Sequence, residues 1–117
     1  MVQRICLSAI LFGFSFGTFG AQAQDETRTL EIAAGHLHAC IARQTTAELA
    51  KHTTPRRFGI VLRNKCRPQE QRFKAILIGG LKKEGSINPQ TLRLVNELLA
   101  SLWKQSVVNY AEMLKGR

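Results

Sequence analysis

The sequence has 117 residues, with 17 Lys and Arg against 8 Asp and Glu, so its formal net charge is +9 at pH 7. A chain of this length holds one domain with a modest hydrophobic core, which excludes a multidomain enzyme. The excess of positive charge favours anionic partners. Only 7% of the residues are aromatic, which disfavours single-stranded nucleic acid because such binders stack bases on aromatic rings.

Residues 1–23 have the pattern of a secretory signal peptide. Arg4 precedes an uncharged run over Ile5–Phe19, and the triplet AQA that ends the segment suits a signal peptidase. We expect cleavage between Ala23 and Gln24, no stable membrane anchor afterwards, and a periplasmic or secreted protein. The alternative is an uncleaved membrane span, which the glycines and hydroxyl side chains within the run disfavour.

Cleavage would change both the charge and the cysteine count. It would remove Arg4 and Cys6, so that residues 24–117 keep sixteen Lys and Arg against eight Asp and Glu, a formal charge of +8. Cys40 and Cys66 would remain, an even number in a compartment where disulfides persist. We expect residues 24–117 to form a single helical domain.

Apolar residues at spacings of three and four predict a first helix, whose pattern fades after Leu49. Thr27 or Thr29 can cap its start. Its apolar side consists of Leu30, Ala33, Ala34, Leu37 and Ile41.

A second helix is predicted from Pro55, because Thr54 can cap the helix and proline suits its first position. Pro68 lacks an amide hydrogen and restricts the residue before it, so a break or kink is expected near Arg67. The apolar side of this helix includes Phe58, Leu62 and Cys66.

Two further helices are predicted from the same kinds of signal. Pro68 can open a third helix, which Gly85 is placed to end. Asn88 can then cap the longest helix, with Pro89 at its first position. The apolar stripe of this fourth helix consists of Leu92, Val95, Leu99, Leu102, Trp103, Tyr110 and Leu114.

The predicted fold class is all-α, a small up-and-down bundle of three to four helices. Residues 60–62 and 75–78 are short runs rich in β-branched side chains, and in isolation either would suit a strand. Both runs fit inside longer helical patterns. The pattern therefore favours helices over strands.

The segment GHLHAC, residues 35–40, raises the question of a metal site. A helix turns by about 100° per residue, which places Cys40 about 40° from His36 but puts His38 about 160° away. The three side chains converge only on a strand, where copper or zinc would be plausible. The helical pattern therefore opposes a metal site, and we predict no cofactor. A thiol- or metal-handling site at His36 and Cys40 is the alternative.

A Cys40–Cys66 disulfide is the interpretation that the helical pattern favours. Antiparallel helices bring together residues equally far from their turn, and the midpoint of 40 and 66 is Thr53, in the predicted break. Both cysteines border apolar stripes, where facing helices can bring Cα atoms within about 4.4 to 6.8 Å. With about 25 residues enclosed, the cross-link contributes on the order of 3 to 4 kcal/mol.

Sequence motifs for catalysis do not appear in this chain. It has no phosphate-binding glycine loop, no CxxCH, no HExxH and no CxxC. A disulfide would consume the thiol of Cys40, and His52 has no identifiable carboxylate partner. We therefore expect a protein that is not an enzyme.

Positive charge is concentrated on the second helix. Arg56, Arg63 and Arg67 fall within about 40° of one another, roughly opposite the apolar side. Glu70 is the only acid between residues 56 and 74. We predict an exported binding module whose basic stripe docks an acidic protein, an anionic lipid or an envelope polymer, with nucleic acid the weaker candidate. The alternative is a solvated face that only maintains solubility.

Overall fold

The computed structural model describes residues 27–117, and the predicted signal peptide with its cleavage site lies outside them. The described part of the chain consists of four helices without a strand. Both runs considered as strands lie within helices, so the all-α prediction is confirmed. The helices are α1 over 27–50, α2 over Pro55–Lys65, α3 over Arg67–Lys83 and α4 over Pro89–Lys115.

The starts of α2 and α4 carry the predicted caps. The Thr54 hydroxyl accepts a hydrogen bond from the Arg57 N–H at 3.4 Å, and Pro55 occupies the first helical position. At α4, the Asn88 side chain accepts from the Thr91 N–H at 2.9 Å, and the Thr91 hydroxyl accepts from the Asn88 N–H at 2.9 Å. Both arrangements pair backbone donors that a first helical turn leaves without partners.

The predicted end of α3 is confirmed, whereas the predicted start of α1 is wrong. Gly85 follows α3 with φ of 69°, the left-handed conformation expected of a terminating glycine. Thr27 and Thr29 are already helical, so neither caps α1 as predicted. A capping residue needs an extended backbone, which a residue inside a helix does not have.

α2 and α3 follow each other without a loop. Only Cys66 separates them, and helical hydrogen bonds span the junction. The Cys66 N–H donates to the Leu62 carbonyl at 2.9 Å, and the Glu70 N–H donates to the Cys66 carbonyl at 3.0 Å. Pro68 supplies no donor, which explains an interruption here. The break predicted near Arg67 is confirmed one residue earlier.

The segments of the bundle run antiparallel, as predicted. A turn over residues 51–54 reverses the chain between α1 and α2. Further along, Phe58 stacks on Tyr110 near the end of α4. Glu70 in α3 accepts a hydrogen bond from the indole N–H of Trp103, closer to the middle of α4. Residue numbers therefore fall along α4 as they rise along α2 and α3, which confirms the up-and-down topology.

The predicted Cys40–Cys66 disulfide is present in the structure. Its Cα atoms lie 5.8 Å apart, and both residues are buried. The bond joins α1 to the junction of α2 and α3, so it fixes the interrupted segment against the first helix. The other buried residues of the core cluster around it are Leu37, Leu49, Phe58, Leu62, Trp103 and Tyr110.

Tyr110 attaches the C-terminal part of α4 to the turn between α1 and α2. Its ring is parallel to that of Phe58 with 4.0 Å between centroids. Its hydroxyl donates to the Thr53 carbonyl at 2.5 Å and lies 3.1 Å from the Glu48 carbonyl oxygen. Burial raises the pKa of the Tyr110 phenol. The hydroxyl is therefore paired inside the core, where an unpaired polar group would be destabilising.

Glu48 organises the same turn from the end of α1. The Thr53 hydroxyl donates to one carboxylate oxygen at 2.9 Å, and the Lys51 ammonium lies 3.3 Å from the other. The hydrogen bond from Thr53, assisted by Lys51, holds the pKa of Glu48 below its usual value, although burial opposes this. His52 completes the turn with φ of 56°, in the left-handed region.

The disulfide makes a prediction about stability. Replacing Cys40 and Cys66 together by Ala should lower the free energy of unfolding by about 3 to 4 kcal/mol, because the unfolded chain regains the freedom of a loop of about 25 residues. Urea titrations followed by circular dichroism measure this difference. Reduction of the wild-type protein should give a similar loss. An unchanged urea midpoint in both cases would show that the cross-link does not stabilise the fold.

Glu48 makes a prediction about pH. Its pKa is lowered by folding, so its carboxylate stabilises the fold above the unfolded-state value of about 4.3, and this stability is lost as the pH falls through the lower folded-state pKa. The difference in unfolding free energy between wild type and Glu48→Gln should therefore be largest above about pH 5 and shrink below about pH 4.

The matched control for this experiment is Glu112→Gln. Glu112 is exposed and pairs with Lys115 at 3.4 Å, and exposed pairs of this kind contribute little. This variant should lie close to wild type at every pH. A Glu48→Gln difference that stays constant as the pH is lowered would contradict the role assigned to the Glu48 carboxylate.

Candidate functional site

A groove runs between α2 and α4 on the surface of the bundle. The helices approach closely at Gly59, where a Cβ atom would lie only 3.2 Å from the Val107 side chain. Because Gly59 has no side chain, the two helices can approach closely beneath the groove. The groove has a volume of about 360 Å³. Its lining consists of Arg56, Gly59, Ile60, Leu62, Arg63, Ala100, Trp103, Lys104 and Val107.

Three cations surround this α2–α4 groove. Arg56 and Arg63 are seven residues apart on one side of α2, a rise of about 10 Å. Lys104 reaches the groove from α4. All three are exposed, and none forms a salt bridge with a carboxylate of residues 27–117. Their charges are therefore directed to solvent and create a positive potential along the groove.

An apolar surface lies between these cations. Ile60 is 59% exposed and lies one helical turn from both Arg56 and Arg63. Ala100 and Val107 add apolar surface from α4. A basic rim around an exposed apolar centre resembles the layout of protein interfaces, where a water-excluded centre is surrounded by a polar edge.

Glu70, the acid nearest to Arg63 in sequence, is engaged elsewhere. Its carboxylate accepts the indole N–H of Trp103, which links α3 to α4. Trp103 is only 5% exposed, so its ring belongs mainly to the core and contributes only part of the groove floor.

The structure divides the predicted basic stripe. Arg56 and Arg63 line the α2–α4 groove, whereas Arg67 is not among its lining residues. Arg67 is the first residue of α3 and donates to the Asn64 side chain at 3.2 Å. Sequence reasoning missed Lys104, because its position opposite Arg63 depends on how α4 packs against α2. Only a contact between the two helices, such as Gly59 against Val107, reveals that register.

The GHLHAC segment has a structural role. The Cys40 sulfur is bonded to Cys66 and buried, so the thiol of the alternative hypothesis is not free beside His36. His36 and His38 are both exposed, and the helix directs them to different sides. Within residues 27–117, no three His, Cys, Asp or Glu side chains are placed to hold a metal ion.

Comparison with protein-family models finds no match to this sequence, and comparisons with curated proteins and with solved structures find none either. In the part of the chain from residue 27 onward, no helix has the length and apolar composition that crossing a bilayer requires. The chemistry of the groove therefore carries the functional proposal.

The groove makes a prediction about stability. Arg56→Gln combined with Arg63→Gln should change the free energy of unfolding by less than about 0.5 kcal/mol, because these exposed side chains have no carboxylate partner to lose. Urea titration of the double variant measures this. A loss of more than about 1 kcal/mol would show that the two arginines hold the fold together and are not reserved for a ligand.

Proposed function

We propose that the protein is an exported, non-catalytic binding module that docks an acidic protein in the α2–α4 groove. One observation carries the proposal: three exposed cations, without carboxylate partners among the described residues, surround the exposed side chain of Ile60. Unpaired charges of one sign attract a partner of the other sign and speed its association. The apolar centre supplies surface to bury once that partner is seated.

The shape of the site favours a protein over the other anionic partners. A groove between two packed helices is concave, so it accepts a projecting side chain or a helix edge, with acidic groups placed to reach Arg56, Arg63 and Lys104. A flat bilayer surface cannot enter such a groove. Single-stranded nucleic acid is a poorer fit because the rings of Phe58, Trp103 and Tyr110 are buried and cannot stack on bases.

The disulfide supports the proposed location of the protein. Disulfides persist in the periplasm and outside the cell, whereas cytosolic thiols are kept reduced. Cys40 and Cys66 are both committed to this bond, which agrees with the predicted export of residues 24–117. The same bond disfavours the alternative function, a thiol- or metal-handling protein, because Cys40 has no free sulfur to react or to bind a metal.

A photo-crosslinking experiment tests the proposal. A photoreactive amino acid at position 60, introduced in the cells that export the protein, should form an adduct with an acidic protein. The same residue at position 32 is the control, because Ile32 is also exposed, at 50%, but lies on α1. Mass spectrometry identifies the adducts.

Charge reversal then tests the role of the cations. With the purified partner, Arg56→Glu/Arg63→Glu should weaken binding at least about tenfold. Arg28→Glu/Lys82→Glu changes the net charge equally at exposed positions away from the groove, and should bind like wild type. An adduct at position 60 that survives the groove reversal, or one made only of lipid or polymer, would contradict the proposed protein partner.

A further inference from the structure

The longest part of the described chain without a buried residue is residues 67–94. Near its start, Phe73 is partly buried and packs against the core cluster. Val95, which follows its end, is buried. Between these two anchored points, residues 74–94 comprise the second half of α3, the connecting loop and the first turns of α4. We call this segment the α3–α4 tip.

The apolar side chains of the α3–α4 tip are only partly removed from water. Ile76, Leu77 and Leu81 are half-buried, while Leu92 and Leu94 are 37% and 58% exposed. Burial of apolar surface is the main favourable contribution to folding. The tip therefore gains less stability from burial than the segments that surround the disulfide.

Two glycines weaken the helix within the tip. Gly79 and Gly80 both lie in α3, and glycine is less favourable than alanine in a helix because it loses more backbone freedom. A Cβ atom added at either position would meet nothing within 4 Å. Neither glycine is therefore needed for a close approach of helices in this chain, and their effect is to make loss of helical structure easier.

Hydrogen bonds in the loop connect the two helix ends of the tip. The Ser86 N–H donates to the Leu81 carbonyl at 2.9 Å, and the Thr91 hydroxyl donates to the Ser86 carbonyl at 2.9 Å. Thr91 is also part of the cap at the start of α4. Loss of helix at the end of α3 therefore removes partners from the loop and from α4, which favours opening of the whole tip as one cooperative unit.

We propose that the α3–α4 tip is a conformational device that unfolds locally and reversibly, as one unit, while the disulfide-linked part of the bundle stays folded. The first turn of α3 remains attached during this opening, because Cys66 is bonded to Cys40 and Glu70 accepts the indole N–H of Trp103.

Opening of the tip changes the surface that the protein presents. The tip forms one wall of a cleft of about 510 Å³, and the start of α1 contributes to the same cleft. Leu30 of α1 lines it together with Ile76, Leu77 and Leu81 of α3. Each opening therefore exposes an apolar surface that the closed bundle keeps half-buried.

Hydrogen exchange of the full, disulfide-bonded protein, followed amide by amide with NMR, tests this proposal. Glu84, Ser86 and Leu92 in the tip donate backbone hydrogen bonds, as do Phe58 and Cys66 outside it. After correction for intrinsic rates, the three tip amides should exchange at similar rates, at least about a hundredfold faster than the other two. Low urea concentrations should change the tip rates little, because a local opening exposes little surface.

Glycine variants separate local from global opening. Gly79→Ala/Gly80→Ala should slow exchange of the tip amides at least about tenfold, because alanine stabilises the closed helix. Gly35→Ala is the matched control: Gly35 lies in α1, and a Cβ there also meets nothing within 4 Å. This variant should raise the urea midpoint of global unfolding but leave the tip amides unchanged, since α1 stays folded when the tip opens.

Three results would overturn the proposal. Equal exchange rates for the tip amides and for Phe58 and Cys66 would show that the tip opens only when the whole protein unfolds. Slower tip exchange in Gly35→Ala would lead to the same conclusion. Unchanged tip exchange in Gly79→Ala/Gly80→Ala would show that loss of helix in α3 is not the event that opens the tip.

Discussion

The cross-link between Cys40 and Cys66 is the constraint on which the rest of the structure depends. The core is small, and α3 contributes no fully buried residue to it. Packing alone therefore stabilises the position of this helix only weakly. Cys66 is the residue that separates α2 from α3, and bonding it to α1 sets where the interrupted segment lies and how α3 begins.

At the far end of α2, the Tyr110 hydroxyl and the Glu48 carboxylate close the turn. Between these two points the helices are held in register, which is the general effect expected of a staple in a domain too small to rely on its core.

This arrangement explains why the positive charges lie where they do. The helices turn their apolar sides toward the disulfide, so the cations remain outside and collect where two helices meet. One collection, around Arg56, Arg63 and Lys104, surrounds an exposed isoleucine. The other, which includes Arg43 and Arg72, lies between α1 and α3. The exposed isoleucine at the centre of the first is the reason that we propose a protein partner for it. In both, the carboxylates that would normally neutralise arginine are absent from the lining, so the charge remains available to a ligand.

Local signals made much of this fold predictable. A threonine or asparagine followed by proline marks a helix start wherever the helix later packs, and the equal distances of Cys40 and Cys66 from their turn need only antiparallel helices. Features that depend on the rotation of one helix against another were not predictable. Lys104 joins the groove, and Tyr110 meets the Thr53 carbonyl, only once α4 is docked. Arg67, the first residue of α3, likewise lies outside the groove that Arg56 and Arg63 line. The sequence therefore predicted the positive charge of the candidate site and the helix that carries most of it, but not all of the residues that line the site.

Peptide mapping of the purified protein tests the central constraint most directly. The protein is alkylated, digested without reductant and examined by mass spectrometry, so that every cysteine is found either blocked or joined. The structure predicts one linked pair of peptides, containing Cys40 and Cys66, that separates on reduction. Recovery of the two peptides apart and alkylated, or of either one joined to Cys6, would contradict the proposed scaffold and reopen His36 and Cys40 as a reactive site.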